Sequence, residues 1–319
     1  MRTQIKFPPV KLPLALAAMT IASSVAMAAD FPTKPLTVIV GYSAGGGTDT
    51  IVRSMTDPLA KVLGQKILVQ NVGGAGGGVA AVRVSKADAD GYTLLATTSS
   101  TFSLEPQTKK TIYKNGDFKH VATIAQFQGV MFANKDKPYA SLTEMIDKAK
   151  AENRPIKFAS FFQLDKLVMQ YIGKRAGVEM IPVPVKGGNG AVKAVLGGEV
   201  DAGYSGGSWA PHVQAGAAKA LFATSYDRLG LAPDVPAMKD LGYDIGTTSY
   251  LTVSAPANTP DAVVKQLSAA IKEALAQPGP QEAGKKRFMD MTYYDDVATR
   301  KIIDKEIAAF GEMVKTVGK

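Results

Sequence analysis

The chain has 319 residues and a formal net charge of +9, and it contains no cysteine and only two histidines. The absence of cysteine excludes a disulfide framework, a thiol nucleophile and a thiolate metal site, and the wide separation of His120 and His212 in the sequence argues against a histidine metal centre. The positive charge is scattered and no aromatic residues are interleaved with it, so we expect no nucleic-acid groove.

The first 28 residues predict export from the cytoplasm. Three basic residues precede an apolar run at 12–25, and residues 26–28 form a small-residue cleavage site. The apolar run of about 14 residues is shorter than the ~20 that a membrane-spanning helix needs, which argues against a membrane anchor. We therefore predict a mature chain that begins at Ala29 in the periplasm of a bacterium with two membranes, without a lipid anchor.

After this segment, short β-branched runs alternate with helical stretches, a pattern typical of α/β layers with a mostly parallel sheet. The first predicted strand, Leu36–Val40, runs into a glycine-rich turn at 41–47 and then into a helix from about Asp49. Pro58 predicts a kink in that helix, because proline removes an intrahelical hydrogen bond and its ring clashes with the preceding turn.

Two further units follow along the chain. Residues 66–70 predict a second strand, and a second glycine-rich turn at 73–78 leads into a helix that continues through Val84. Residues 92–96 predict a third strand, which ends in the hydroxyl cluster 97–100.

Capping residues mark the starts of later helices. Ser141 and Glu144 form a capping box, and Thr259 is predicted to be an N-cap followed by Pro260 at the first helical position. An amphipathic pattern at 297–317 predicts a last helix.

The order of strand, glycine turn and helix occurs at 38–63 and again at 182–196, where the turn is 186–190. Two α/β lobes of this kind should face each other across a cleft, because ligands of open α/β sheets bind outside the carboxyl ends of the strands. The glycine turns should line that cleft.

The turns at 45–48 and 75–78 are candidate anion sites. Glycine lets the backbone approach a ligand closely, and a helix N-terminus supplies free N–H groups and a partial positive charge; alternatively, the glycines only form tight turns. The P-loop lysine is missing, and the loose dinucleotide fingerprint at 76–81 lacks its acidic partner. We therefore expect no cofactor and no metal, and a carboxylate suits these turns better than a phosphate-rich group.

A serine hydrolase is the alternative of a different class. Ser43 and Ser205 both lie in G-x-S-x-G patterns after predicted strands, but that elbow also needs an acid and a later histidine. Only His212 follows Ser205, with no acid between them. The order Ser43, Asp201, His212 is formally available, and nothing else supports it.

Ordered motifs run through nearly the whole chain after the export segment. They are FPTKP at 31–35, GGGTD at 45–49, VGGAGG at 72–77, DGYTLL at 90–95, KG at 186–187, LGGEVD at 196–201, PDVP at 233–236, AP at 255–256 and TP at 259–260. By this series the chain resembles the periplasmic substrate-binding receptors of the tripartite tricarboxylate transporters, the Bug receptors.

The resemblance implies a two-lobe clamp of the periplasmic-binding-protein (Venus flytrap) kind. The first lobe would comprise 29–129 plus 254–319 and the second lobe 130–253. Crossings near 130–134 and 250–253 would form a two-strand hinge.

The resemblance also implies the ligand contacts. In the family, a ligand carboxylate is held by backbone N–H groups of the first two turns, often with ordered waters. On this chain Asp49 would orient the first turn and its waters, or would be only an ordinary acid in the first turn of a helix. Carried onto this chain, the first-lobe contacts are Ser43, Ala44, Gly45, Gly46, Asp49, Ala75, Gly76, Thr98, Ser99 and Ser100. The second-lobe candidates are Ser160, Phe161, Phe162, Gln163, Lys186, Gly187, Asp201 and Ser205.

The second lobe departs from the family pattern. Small polar residues, and often a histidine, are usual where this chain has 160–165, and the usual Tyr before Lys-Gly is Val185. Phe161 and Phe162 therefore indicate an aromatic or apolar body in the ligand, unless one or both pack into the lobe.

We accordingly predict a receptor without enzymatic activity that captures a small organic anion, a carboxylate, as a monomer. Its partners would be membrane transporter subunits or a sensor protein. A receptor used only for signalling is a further alternative, and nucleic acid is not an expected partner.

Overall fold

This computed structural model describes residues 31–318. The predicted export segment 1–28 and the predicted mature start at Ala29 lie outside the described residues. Within the described range no helix is both long enough and apolar enough to cross a membrane.

Eleven strands form two separate sheets in the described chain. The strands are β1 (Leu36–Val40), β2 (Ile67–Asn71), β3 (Thr93–Thr98), β4 (Phe118–Phe127), β5 (Val130–Asn134), β6 (Ile156–Ser160), β7 (Met180–Pro184), β8 (Ala202–Ser205), β9 (Ala218–Ala223), β10 (Tyr250–Pro256) and β11 (Met289–Asp290). The first sheet has the order β11-β4-β10-β3-β1-β2 and the second the order β7-β6-β8-β5-β9.

Helices cover the faces of both sheets. They are α1 (Gly47–Ser54), α2 (Thr56–Leu63), α3 (Gly78–Ser85), α4 (Ser100–Ser103), α5 (Glu105–Thr108), α6 (Leu142–Ala151), α7 (Gln163–Ala176), α8 (Gly187–Leu196), α9 (Ala210–Gln214), α10 (Asp261–Leu275), α11 (Pro278–Arg287) and α12 (Asp296–Val317), with 3₁₀ turns at Ala75–Gly77, Asn115–Asp117 and Met238–Leu241. The predicted α/β class is confirmed.

Each sheet is mixed rather than mostly parallel. In the first sheet β1 is parallel to β2 and β3, while β10 is antiparallel to β3 and β4. In the second sheet β6 is parallel to β7 and β8, and β5 is antiparallel to β8 and β9. The parallel strands carry their carboxyl ends to one edge, because Val40 pairs with Asn71 and Ala96 and Ser160 pairs with Pro184.

Alternating side chains bury both faces of each sheet. Val38 and Val40 join one apolar cluster, whereas Ile39 between them joins the cluster on the opposite face. In the second sheet the neighbours Met131 and Phe132 likewise join two different apolar clusters, one on each face. Successive strand side chains point to opposite faces, so a strand that is covered on both sides is apolar throughout.

The chain leaves the first sheet after Phe127 and returns to it at Tyr250. β10 lies in the first sheet along its whole length, beginning four residues before the predicted lobe boundary at Ser254. The helix α12 packs on β4 and also on α7. The division into lobes at 129/130 and 253/254, and the hinge, stay predictions.

Two local expectations are confirmed and one was wrong. The predicted kink in the first long helix occurs as a break at Met55, three residues before Pro58. Pro58 lies in the first turn of α2, where a missing N–H costs no intrahelical bond. At the later helix Pro260 holds the N-cap position of α10, while the buried hydroxyl of Thr259 has no partner among the described residues. Ser141 caps α6 as predicted by accepting the N–H of Glu144 at 3.2 Å.

Candidate functional site

The first turn of the first sheet is organised by the carboxylate of Asp49, which is 3% exposed. Its Oδ2 accepts the backbone N–H of Gly45 at 2.8 Å, and its Oδ1 accepts from Arg53 Nε and from Asn71 Nδ2, each at 2.9 Å. Burial alone would raise the pKa of Asp49, but the Gly45 N–H, the Asn71 amide and Arg53 outweigh burial and hold the pKa below its usual range. Asp49 therefore acts as an internal anion that fixes the turn.

The exposed part of this turn comprises Ser43, Ala44 and Gly45. Gly45 has φ +77°, a left-handed conformation that favours glycine. Its N–H is bound by Asp49, and the N–H of Gly46 makes a long contact of 3.4 Å to the Ser43 carbonyl. These two N–H groups thus have partners inside the turn, unlike the free donors that the resemblance implies.

The second turn is left-handed at Ala75, Gly76 and Gly77, with φ of +49°, +63° and +90°. The Gly76 carbonyl accepts from Thr101 Oγ1 at 2.7 Å and from Tyr42 OH at 3.3 Å. A Cβ on Gly76 would collide with the carboxylate of Glu105. The backbone angle favours glycine here, and an added Cβ would have to displace the side chain of Glu105.

The hydroxyl groups after β3 point in different directions. Thr98 Oγ1 lies 2.6 Å from Tyr42 OH and 2.9 Å from Ser100 Oγ, so these three groups form one cluster beside the glycine turns. Ser99 is fully buried, and its hydroxyl donates to Glu306 at 2.7 Å. Thr98 and Ser100 therefore lie with the turns, whereas the hydroxyl of Ser99 does not.

In the second sheet, the loop after β6 is held by Asp165, which is fully buried. Ser160 Oγ donates to Asp165 Oδ1 at 2.7 Å, and the N–H groups of Phe161 and Phe162 lie 3.1 and 3.4 Å from Oδ2. Burial raises the pKa of Asp165 to about 6, against the lowering effect of these hydrogen bonds. Gln163 begins α7 directly after the loop.

The two phenylalanines have different neighbours. Phe161 lies 5.9 Å from the ring of Tyr204 and packs against both core clusters of the second sheet. Phe162 makes an edge-to-face contact with Tyr42 of the first sheet, with ring centroids 5.7 Å apart. Phe161 is thus a packing residue, and Phe162 links the second-sheet loop to the first glycine turn.

The remaining second-sheet candidates divide between the two ends of β8. Gly187 has φ +65° and begins α8 after the exposed Lys186, and a Cβ on Gly188 would lie 3.2 Å from the Cβ of Ser205. The start of α8 therefore lies beside the carboxyl end of β8.

Asp201 directly precedes β8, at the end of the strand opposite Ser205. Its Oδ2 accepts from Arg154 Nη1 at 3.0 Å and from the N–H of Lys157 at 2.9 Å. These contacts join the amino ends of β6 and β8, so Asp201 does not lie with Ser205 and the turns; its place in the predicted site is corrected.

The sequence matches the family described as the tripartite tricarboxylate transporter family receptor, TctC, over residues 51–319. A relative from Cupriavidus necator, the UPF0065 protein in the gbd 5' region, is 32% identical over 282 residues, which are 88% of this chain and 85% of that protein. The chain belongs to the TctC receptor family. The resemblance drawn from the ordered motifs is confirmed.

Solved structures of similar proteins share the fold. MatC from Rhodopseudomonas palustris, solved with bound malate, is 27% identical with a TM-score of 0.77, over 89% of this chain and 100% of that one. The periplasmic binding protein BugD is 25% identical with a TM-score of 0.74, over 90% of this chain and 99% of that one. The predicted two-lobe clamp is confirmed at the level of the fold.

Of the two serines in the hydrolase alternative, Ser205 has a structural role in this TctC receptor. Ser205 Oγ accepts the backbone N–H of Trp209 at 2.9 Å. His120 is buried and its ring nitrogens lie 2.9 Å from Ser254 Oγ and Asn115 Oδ1. Burial, with Arg300 nearby, lowers the pKa of His120 to about 4. Neither contact of His120 reaches Ser43 or Ser205.

Sequence reasoning missed three residues that hold the receptor's turns. Asn71 joins Asp49 to the Tyr42 carbonyl, which accepts from Asn71 Nδ2 at 3.0 Å, and Arg287 donates to the Gly45 carbonyl at 3.0 Å. Asn71 directly follows a predicted strand and Tyr42 is the one aromatic residue of the first turn, so both positions carried a signal. Arg287 is distant from Gly45 in the sequence, and no sequence signal indicated their contact.

Proposed function

We propose that this chain is a periplasmic receptor that captures a small organic carboxylate and delivers it to the membrane subunits of a tripartite transporter. Family membership supports the receptor role, and malate bound to MatC supports a carboxylate. The proposal includes action as a monomer, export by residues 1–28, and no catalytic step.

One observation carries the proposal for the ligand site. Phe162 on the second sheet touches Tyr42 on the first, and Tyr42 also bonds Thr98 and the Gly76 carbonyl. This contact brings together the first turn, the second turn, the hydroxyl cluster and the second-sheet loop. Ligands of open α/β sheets bind at such strand ends.

A thermal-shift screen against mono-, di- and tricarboxylates, followed by calorimetry of the hits, tests the proposal. A ligand at 100 times its Kd should stabilise the fold by ~2.7 kcal/mol. The proposal fails if no carboxylate in a broad aliphatic and aromatic panel stabilises the protein.

A fluorophosphonate probe tests the hydrolase alternative separately. We expect no labelling of the wild-type chain, because the hydroxyl of Ser205 serves a backbone contact. Labelling that disappears in Ser43→Ala or Ser205→Ala would establish an activated serine and overturn the proposal of a receptor without catalysis.

A further inference from the structure

The second-sheet loop at 160–165 contains a carboxylate of its own. Asp165 lies in the first turn of α7, a helix of 14 residues, and its side chain is fully buried. The loop faces the first turn through the contact of Phe162 with Tyr42. A negative charge is therefore built into the second-sheet side of the proposed ligand site.

Asp165 uses the donors that this loop could offer to an anion. The hydroxyl of Ser160 donates to Oδ1, and the N–H groups of Phe161 and Phe162 are directed at Oδ2. A strand end followed by a helix N-terminus is ordinarily a place where an external anion binds. In this chain the carboxylate of Asp165 occupies that place.

The charge of Asp165 also acts on its surroundings. Burial first, and the Asp165 carboxylate second, raise the pKa of Tyr204, whose ring lies against Phe161. A second carboxylate brought to this end of a ligand would meet occupied donors, the ring of Phe162 and a like charge.

We propose that Asp165 restricts this receptor to ligands with one carboxylate and an apolar body, excluding dicarboxylates of the same length. This inference rests on the proposed function. The carboxylate would lie at the first-sheet turns, where the charge of Asp49 is paired with Arg53, and the apolar body would lie toward Phe162.

Calorimetry at pH 8 with two matched ligand pairs tests the inference. The pairs are hexanoate with adipate and 4-methylbenzoate with terephthalate, in each of which a methyl group stands in place of the second carboxylate. We expect the monocarboxylate of a pair to bind roughly tenfold more tightly or better. A dicarboxylate that binds as tightly as its partner, or more tightly, would overturn the inference and leave the proposed function standing.

The variant Asp165→Asn keeps the side-chain size and an acceptor while removing the charge. The affinity for the dicarboxylate should increase at least about tenfold relative to the affinity for its monocarboxylate partner. Asp240→Asn is the matched control, because Asp240 also accepts a backbone N–H near a helix start, that of Ala237 at 2.9 Å.

Folding of each variant is checked by circular dichroism before titration. If Asp165→Asn does not fold, a wild-type pair in which the dicarboxylate binds as tightly as the monocarboxylate still overturns the inference. If neither member of either pair binds and the wider panel also fails, the proposed function is overturned and the inference with it.

Discussion

Asp49 is the residue on which the first turn depends. Replacing it with alanine would leave the Gly45 N–H, the Asn71 amide and Arg53 without their common acceptor. We expect Asp49→Ala to lower the free energy of unfolding by about 1–3 kcal/mol and to weaken carboxylate binding, because the turn loses its fixed shape. Urea unfolding and calorimetry measure the two effects.

Asp261→Ala is the matched control for this prediction. Asp261 is also an acid in the first turn of a helix, but its side chain is 82% exposed and pairs with Lys119. An exposed ion pair contributes about 0–1 kcal/mol. Equal loss of stability and binding in the two variants would contradict the role assigned to Asp49.

The two glycine turns should respond differently to an added side chain. A Cβ on Gly46 would meet only the Ser43 carbonyl at 3.3 Å, and Gly46 has an ordinary φ of −71°. Gly46→Val should cost no more than about 1 kcal/mol of stability and weaken binding at the exposed turn. Gly76→Ala should lower the free energy of unfolding by at least about 1–2 kcal/mol, because alanine is strained in the left-handed backbone conformation of this position.

Chemical denaturation of both glycine variants, with calorimetry of the folded one, checks this contrast. Wild-type affinity in Gly46→Val would show that the first turn does not approach the ligand. Unchanged stability in Gly76→Ala would contradict the steric account of the second turn.

At the scale of elements, α12 carries a buried acid in the middle of its packed face. Glu306 accepts from Ser99 Oγ and Ser103 Oγ, both at 2.7 Å, and burial raises its pKa to about 8. In the unfolded chain a glutamate titrates near pH 4.3, about its ordinary pKa. Between these values the folded state keeps a proton that the unfolded state releases, so stability falls as pH rises toward 8.

Glu306→Gln should remove this pH dependence. The amide keeps an acceptor for the serines and stays neutral, so the variant should gain stability relative to wild type between about pH 4.5 and 8, with no further relative change above that. Urea unfolding of both proteins from about pH 5 to 9 measures the difference. Parallel stability curves would show that Glu306 does not titrate in this range.

The order of strands, turns and helices could be predicted because each depends on local pattern. The helix break at Met55 and the cap at Pro260 could not be placed to the residue, because a proline disfavours a helix in the turn before it without fixing which residue leaves the helix. Glu306 had a signal: it shares the spacing of Ile303, Phe310 and Met313 on one helix face.

The site was less accessible to sequence reasoning than the elements. Strand order within the first sheet brings Thr98 to Tyr42. No sequence pattern states that Tyr42 meets Phe162 of the second sheet. The donors of the first turn could be named from glycine spacing, but the capture of the Gly45 N–H by Asp49 depends on side-chain direction, as does the capture of the loop donors at 160–162 by Asp165. Asp201 was misplaced because a strand has two ends and the motif does not say which one faces the ligand.

At the scale of the molecule, α12 joins the two sheets. Ile303 packs in a core of the first sheet, while Phe310 and Met313 pack in a core of the second. Relative movement of the sheets would therefore have to bend or shift this helix.

We predict that a bound carboxylate draws the two sheets together. Small-angle scattering with and without a saturating ligand should show a smaller radius of gyration in the bound state, as in hinge closure. An unchanged radius at saturation would indicate a preformed site that does not close.

The central claim, recognition of a carboxylate, is tested most directly by calorimetry with neutral analogues. Each carboxylate that binds is compared with its amide, such as benzoate with benzamide, in the same buffer. The account predicts that the carboxylate binds at least about a hundredfold more tightly, since charged hydrogen bonds are the stronger ones. Equal affinity for the acid and its amide would contradict it.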